Sequence, residues 1–184
     1  MRIQFFGDSY DVVKRFLLRS IAPEGKWAAF PMFSHRVTPE ELTAFEAFLG
    51  VQVVSPAPLA ATTDRAQHLA AMAQHRHIFL DPDTGIKLKP SNRADSSKYI
   101  FAPELVSLCQ ESPQRLLLVF DQSVPRGAER KAIEKKLAHF RDAGIHGFAY
   151  LSHACFVVLS ASKSACSTAK ANLLVTGLPS SRLM

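Results

Sequence analysis

The residues best suited to chemistry are the two aspartates of Asp81-Pro82-Asp83-Thr84-Gly85, which directly follow the apolar run His77–Leu80. Two more acidic segments follow apolar runs: Gly7-Asp8-Ser9-Tyr10-Asp11 after Arg2–Phe6, and Asp121-Gln122-Ser123 after Arg115–Phe120. Carboxylates drawn together repel one another unless a proton or a cation sits among them. Oxygen-only ligand sets suit Mg²⁺ or Mn²⁺, which bridge carboxylates to phosphate oxygens. The metal-ligand candidates are therefore Asp8, Asp81, Asp83 and Asp121, with Asp8, Asp81 and Asp83 as the core acids. Lys14 and Lys98 are the candidate partners of negative charge on a phosphate or a transition state. Gly7 and Gly85 are the positions where bare backbone could approach a cofactor.

Each assignment has a plainer counterpart. Asp8 or Ser9 can cap the helix that follows, a routine role for both residue types. Asp-Pro-Asp-Thr-Gly is also ordinary turn chemistry, with Pro fixing φ and Gly accepting φ > 0. Asp121 can simply start a turn. His153 and Cys155 share a strand face and form a conceivable base and nucleophile, but their apolar flanks favour a buried thiol. His68, His75 and His77 are not spaced for zinc. The sequence contains no GxxxxGK[ST], GxGxxG or GxSxG motif.

The elements that would hold these residues alternate along the chain. Apolar runs at Arg2–Phe6, Trp27–Phe33, Val51–Val54, His77–Leu80 and Arg115–Phe120, and a pair within Gly147–Ala161, lack strict alternation and read as strands covered on both faces. Helical spacing marks Asp11–Ile21, Thr63–His75, Pro103–Glu111 and Arg126–Ala143. Thr38-Pro39-Glu40-Glu41 is a capping box with an early proline, and Gly50 supplies the stop. This order predicts a Rossmann-like α/β fold: a doubly wound, mostly parallel sheet with helices on both faces and a C-terminal antiparallel hairpin turning near Ser152–His153. In such sheets ligands bind beyond the carboxyl ends of strands where strand order reverses. In the common order, the first, fourth and fifth predicted strands are neighbours, and the three acidic segments converge. Thr84–Ala102 reads as a long basic loop lying over that edge.

The 184 residues, 47% of them apolar, suit one domain over 1–177, with 178–184 as a frayed tail. No run is long enough to span a bilayer, and MRIQFFGDSYD meets an acid too early for a signal peptide, so no membrane association is expected. Three cysteines without CxxC spacing point to a reducing, cytoplasmic compartment. A net charge of +6 makes nucleic acid a candidate partner.

Two motifs resemble those of an uncharacterised group of bacterial and phage proteins, close to G-D-x-x-D-x-x-K-x-x-L-L and F-x-D-P-D-[NT]-G. Here they are Gly7-Asp8-Ser9-Tyr10-Asp11-Val12-Val13-Lys14 with Leu17-Leu18, and Phe79 through Gly85; Ser97-Lys98-Tyr99 with Glu104-Leu105 also fits. A looser likeness is to S-adenosylmethionine-dependent methyltransferases. Their amino-modifying members carry D-P-P-[YF] after the fourth strand, where this chain has Asp81-Pro82-Asp83-Thr84. The leading expectation is a metal-dependent enzyme acting on nucleic acid or another phosphodiester. The alternatives are a methyltransferase-like domain, active with S-adenosylmethionine or degenerate, and a non-enzymatic binding module in phage–host conflict.

Overall fold

The computed structural model describes residues 5–58, 65–90 and 97–184. Its elements are α1 (Ser9–Ile21), β1 (Trp27–Phe30), α2 (Pro39–Leu49), β2 (Val51–Val53), α3 (Arg65–Met72), β3 (His77–Leu80), β4 (Gly85–Lys87), β5 (Tyr99–Phe101), α4 (Ala102–Glu111), β6 (Leu117–Asp121), α5 (Glu129–Asp142), β7 (His146–Leu151), β8 (Cys155–Ser160) and α6 (Lys163–Val175). Six strands form one sheet in the order β2-β1-β3-β6-β8-β7. The first four are parallel; β8 runs antiparallel to both β6 and β7. The fold is thus the expected Rossmann-like α/β arrangement.

Alternation along each strand sorts the core onto two faces. Ile78 and Leu80 of β3, with Leu117 and Val119 of β6, face Met72, Leu105, Ile133 and Phe140 of α3, α4 and α5. Phe79 of β3, with Leu118 and Phe120 of β6, faces Leu17, Phe45 and Leu173 of α1, α2 and α6. Burying large side chains on both sides explains why these strands read as continuous apolar runs. The capping box forms as its spacing predicts: Glu41 N donates to Thr38 Oγ1 (3.2 Å) and Thr38 N donates to Glu41 Oε2 (2.8 Å). Gly50 ends α2 in the left-handed region, at φ 72°.

Three expectations differ. Of the predicted strand at Arg2–Phe6, residues 2–4 lie outside the described residues, and Phe5 and Phe6 sit in a turn leading into α1. The neighbour of β3 in the sheet is instead β1. The predicted loop Thr84–Ala102 contains β4 and β5, which pair in parallel as a separate two-stranded sheet; residues 91–96 of it lie outside the described residues. The tail is not frayed: Met184 N donates to Ala149 O (3.0 Å), Ala149 N donates back to Met184 O (3.3 Å), and Leu183 is buried. It pairs along the free side of β7, covering an edge that would otherwise expose unpaired backbone groups.

Candidate functional site

The chain runs from β1 outward to β2 and then returns to the other side of β1 as β3, so strand order reverses between β1 and β3. The carboxyl end of β3 delivers Asp81 to this reversal point, where Asp81 N donates to Phe30 O of β1 (3.0 Å). Helix α1 crosses above it. Asp8 starts that helix as its N-cap, accepting from Tyr10 N (2.8 Å) and Asp11 N (3.1 Å). Asp11 and Lys14 lie one turn apart on the buried face of α1. Lys14 Nζ donates to Asp11 Oδ1 (2.9 Å) and to Asp81 Oδ2 (2.8 Å), and lies 4.7 Å from the centre of the Phe120 ring. All three members of this Asp11–Lys14–Asp81 bridge are at most 4% exposed.

Burial alone would pull Lys14 down, but Asp81 and Asp11 outweigh it and hold the ammonium above its usual 10.5. The lysine is a fixed cation between two carboxylates, the role the sequence reading gave to a divalent ion. Asp11 is fully engaged, since its Oδ2 accepts from Gly7 N (2.9 Å). Asp81 is not: Oδ1 has no protein donor among the described residues, and Asp81 lines a pocket of about 420 Å³. Phe5, Tyr10, Pro82 and Phe120 give this pocket apolar walls; Asp8, Asp83 and Gln122 add polar groups. Among the described residues its lining holds the carboxylates of Asp8, Asp11, Asp81 and Asp83 and the ammonium of Lys14, a set rich in acceptors that suits a ligand bearing hydrogen-bond donors.

Asp121 goes elsewhere, for a reason of period. In β6, Leu118 and Phe120 face α1, while Leu117, Val119 and Asp121 face α5. Asp121 therefore meets Lys136 of α5, whose Nζ donates to Asp121 Oδ2 (2.5 Å) and Ser123 Oγ (2.8 Å). Its Oδ1 accepts from Ile86 N (3.1 Å), Ser123 N (3.1 Å) and Ser123 Oγ (2.6 Å). This second buried centre ties the small β4–β5 sheet to β6. Gly85 belongs to it, because a Cβ there would collide with Asp121 Oδ1.

The candidate residues are thus divided. Asp8, Asp81, Asp83 and Lys14 line one pocket, with Asp83 exposed at its mouth. Lys98 is exposed and outside the pocket wall, although its carbonyl accepts from Thr84 N (2.9 Å) beside Asp83. Gly7 takes φ 88° in the turn that presents its amide to Asp11. Asp121 lies in the other centre. Among the described residues, no group of three or more His, Cys, Asp or Glu side chains is arranged to hold a metal ion. Cys155 is buried and desolvation pushes its thiol up to about 11, while His153 is exposed and packs on Tyr10 at 4.7 Å. Tyr10 and Phe120 were not among the sequence candidates, and the sequence places Asp11 in an acidic segment at this edge without a role of its own. The i, i+3 spacing of Asp11 and Lys14, and the parity of Phe120 relative to Asp121, carried that signal.

Comparison of the chain with protein-family models, with curated proteins and with solved structures finds no match.

Proposed function

We propose that the pocket at the strand-order reversal binds an amino-bearing planar heterocycle, the base of a nucleoside or nucleotide. The observation that carries this is Asp81 Oδ1, an acceptor with no protein donor among the described residues, in a pocket that Tyr10 and Phe120 also line and whose lining is acidic. Aromatic faces suit stacking against a base, and a carboxylate accepts from an exocyclic amine. The volume, about 420 Å³, lies in the range of small-ligand sites. Lys98, next to the mouth through its pairing with Thr84, is an exposed cation available to a phosphate of the same ligand. Calorimetric titration with adenosine, cytidine and uridine tests the reading. Uridine lacks the exocyclic amine and leaves Asp81 unpaired, so its affinity is expected to be at least about tenfold weaker. Asp81→Asn is expected to remove the preference. Equal binding of all three nucleosides, or of none, overturns it. A single-stranded oligonucleotide titrated alongside separates a free nucleotide from a base presented by nucleic acid. Mg²⁺ or Mn²⁺ titrated alone tests the metal-dependent phosphodiester reading, which requires binding that weakens in Asp83→Asn.

A second reading is favoured by the strand order. The antiparallel β8 is inserted between β6 and the edge strand β7, and the acidic turn follows β3, which suits a methyltransferase-like domain. The loop after β1, Pro31-Met32-Phe33-Ser34-His35, lacks a glycine for close approach to a cofactor. Absence of heat with S-adenosylmethionine at millimolar concentration removes this reading.

A further inference from the structure

We propose that a second cleft, at the opposite edge of the sheet from the acidic pocket, binds a phosphomonoester with an apolar body. Two helices build it from regularly spaced residues. Lys163, Ser167 and Lys170 lie at i, i+4 and i+7 on one face of α6, and Arg141 comes from the last turn of α5. The start of β7 forms a further wall, with Ile145 and Phe148 as apolar lining, and the open cleft has a volume of about 370 Å³. Strand β7 is parallel to β6, so its first residues lie at the amino edge, whereas Asp81 and Asp121 end their strands at the carboxyl edge.

Its charge is mostly positive. Arg141, Lys163 and Lys170 line the cleft; among the described residues no acidic side chain does, and the one negative group on its wall is the terminal carboxylate of Met184. None of the three makes an ion pair among the described residues, whereas the buried cations Lys14, Lys136 and Arg115 each have a carboxylate partner. Like charges gathered around one concavity repel, and a bound dianion relieves that repulsion. A guanidinium grips two phosphate oxygens at once, and ammonium groups add point charges. The apolar lining gives an aryl or alkyl ester group a place that inorganic phosphate cannot use.

The test is titration of the full chain with phenyl phosphate and with inorganic phosphate, followed by amide shifts. Phenyl phosphate is expected to bind about tenfold or more tightly than inorganic phosphate and to perturb residues 141–148 and 163–170. The triple variant Arg141→Gln, Lys163→Gln, Lys170→Gln is expected to weaken binding about 100-fold or more while leaving the circular dichroism unchanged. Lys89→Gln, an exposed cation outside the cleft, is expected to change nothing. Three outcomes overturn the proposal: no phenyl phosphate binding, unchanged binding by the triple variant, or equal affinity for the two anions. Loss of nucleoside binding in the acidic pocket does not bear on it.

Discussion

The two buried lysine centres use the same ions and differ in what they leave over. Asp121 has both oxygens saturated, by Lys136, Ser123 and the amide of Ile86. Asp81 has Oδ2 held by Lys14, while Oδ1 has no protein donor among the described residues and the residue lines a pocket. A buried ion pair is retained only when its remaining lone pairs are also satisfied, and the Asp121 centre meets that condition internally. The Asp81 centre meets it internally at Oδ2 alone, through Lys14. One carboxylate therefore fastens two sheets together, and the other is the acceptor on which the proposed ligand reading rests.

The largest expected effect breaks the closed centre. Asp121→Ala leaves Lys136 buried without its carboxylate and unpairs the amide of Ile86, and should cost about 3–5 kcal/mol in denaturant unfolding. Gly85→Ala attacks the same centre from the other side. Its backbone is at φ 141°, and the new methyl would displace Asp121 Oδ1, so a loss of about 3 kcal/mol is expected. If either variant unfolds like the wild type, the β4–β5 sheet is not held through Asp121.

The alternation that separates these centres was present in the sequence but not used there. The runs His77–Leu80 and Arg115–Phe120 were legible as buried strands because both faces of their apolar stretches are hydrophobic. That same continuity hid which face each terminal aspartate continues. Counting by twos from Phe79 puts Asp81 on the α1 side, and counting from Leu118 puts Asp121 on the other. The capping box and the final hairpin were legible because their signals are local. The pairing of β4 with β5 was not, since three-residue parallel strands carry no periodicity of their own. The tail was misread because its docking depends on the free edge of β7, a property of the assembled sheet.

The open centre should respond more weakly and with a distinct pH signature. Lys14→Met leaves Asp11 and Asp81 without their cation, at an expected cost of about 2–3 kcal/mol, below that of Asp121→Ala because Asp81 opens on the pocket. The folded pKa of Lys14 lies above its ordinary 10.5, so the stability its ion pairs contribute is complete below that pH. It declines as pH rises through the folded value, because the protein then gives up a proton it holds more tightly than the unfolded chain does. Unfolding free energies measured from pH 9 upward should show this decline in the wild type and a smaller one in Lys14→Met. Identical slopes would mean that the pair contributes nothing.

The smallest expected effect is at Asp8, where two variants separate two roles that coincide in one side chain. Asp8 caps α1 through Tyr10 N and Asp11 N, and it also lines the pocket. Removing the cap in Asp8→Ala should cost about 1 kcal/mol. Asn caps a helix about as well as Asp, so Asp8→Asn should recover most of that loss while deleting the charge. If the cap is the whole role of Asp8, Asp8→Asn binds an amino-bearing nucleoside as the wild type does. If its charge also serves the ligand, Asp8→Asn is stable but binds more weakly. Calorimetry on that one variant therefore decides whether the acidic site ends at Asp81 and Asp83 or extends onto α1.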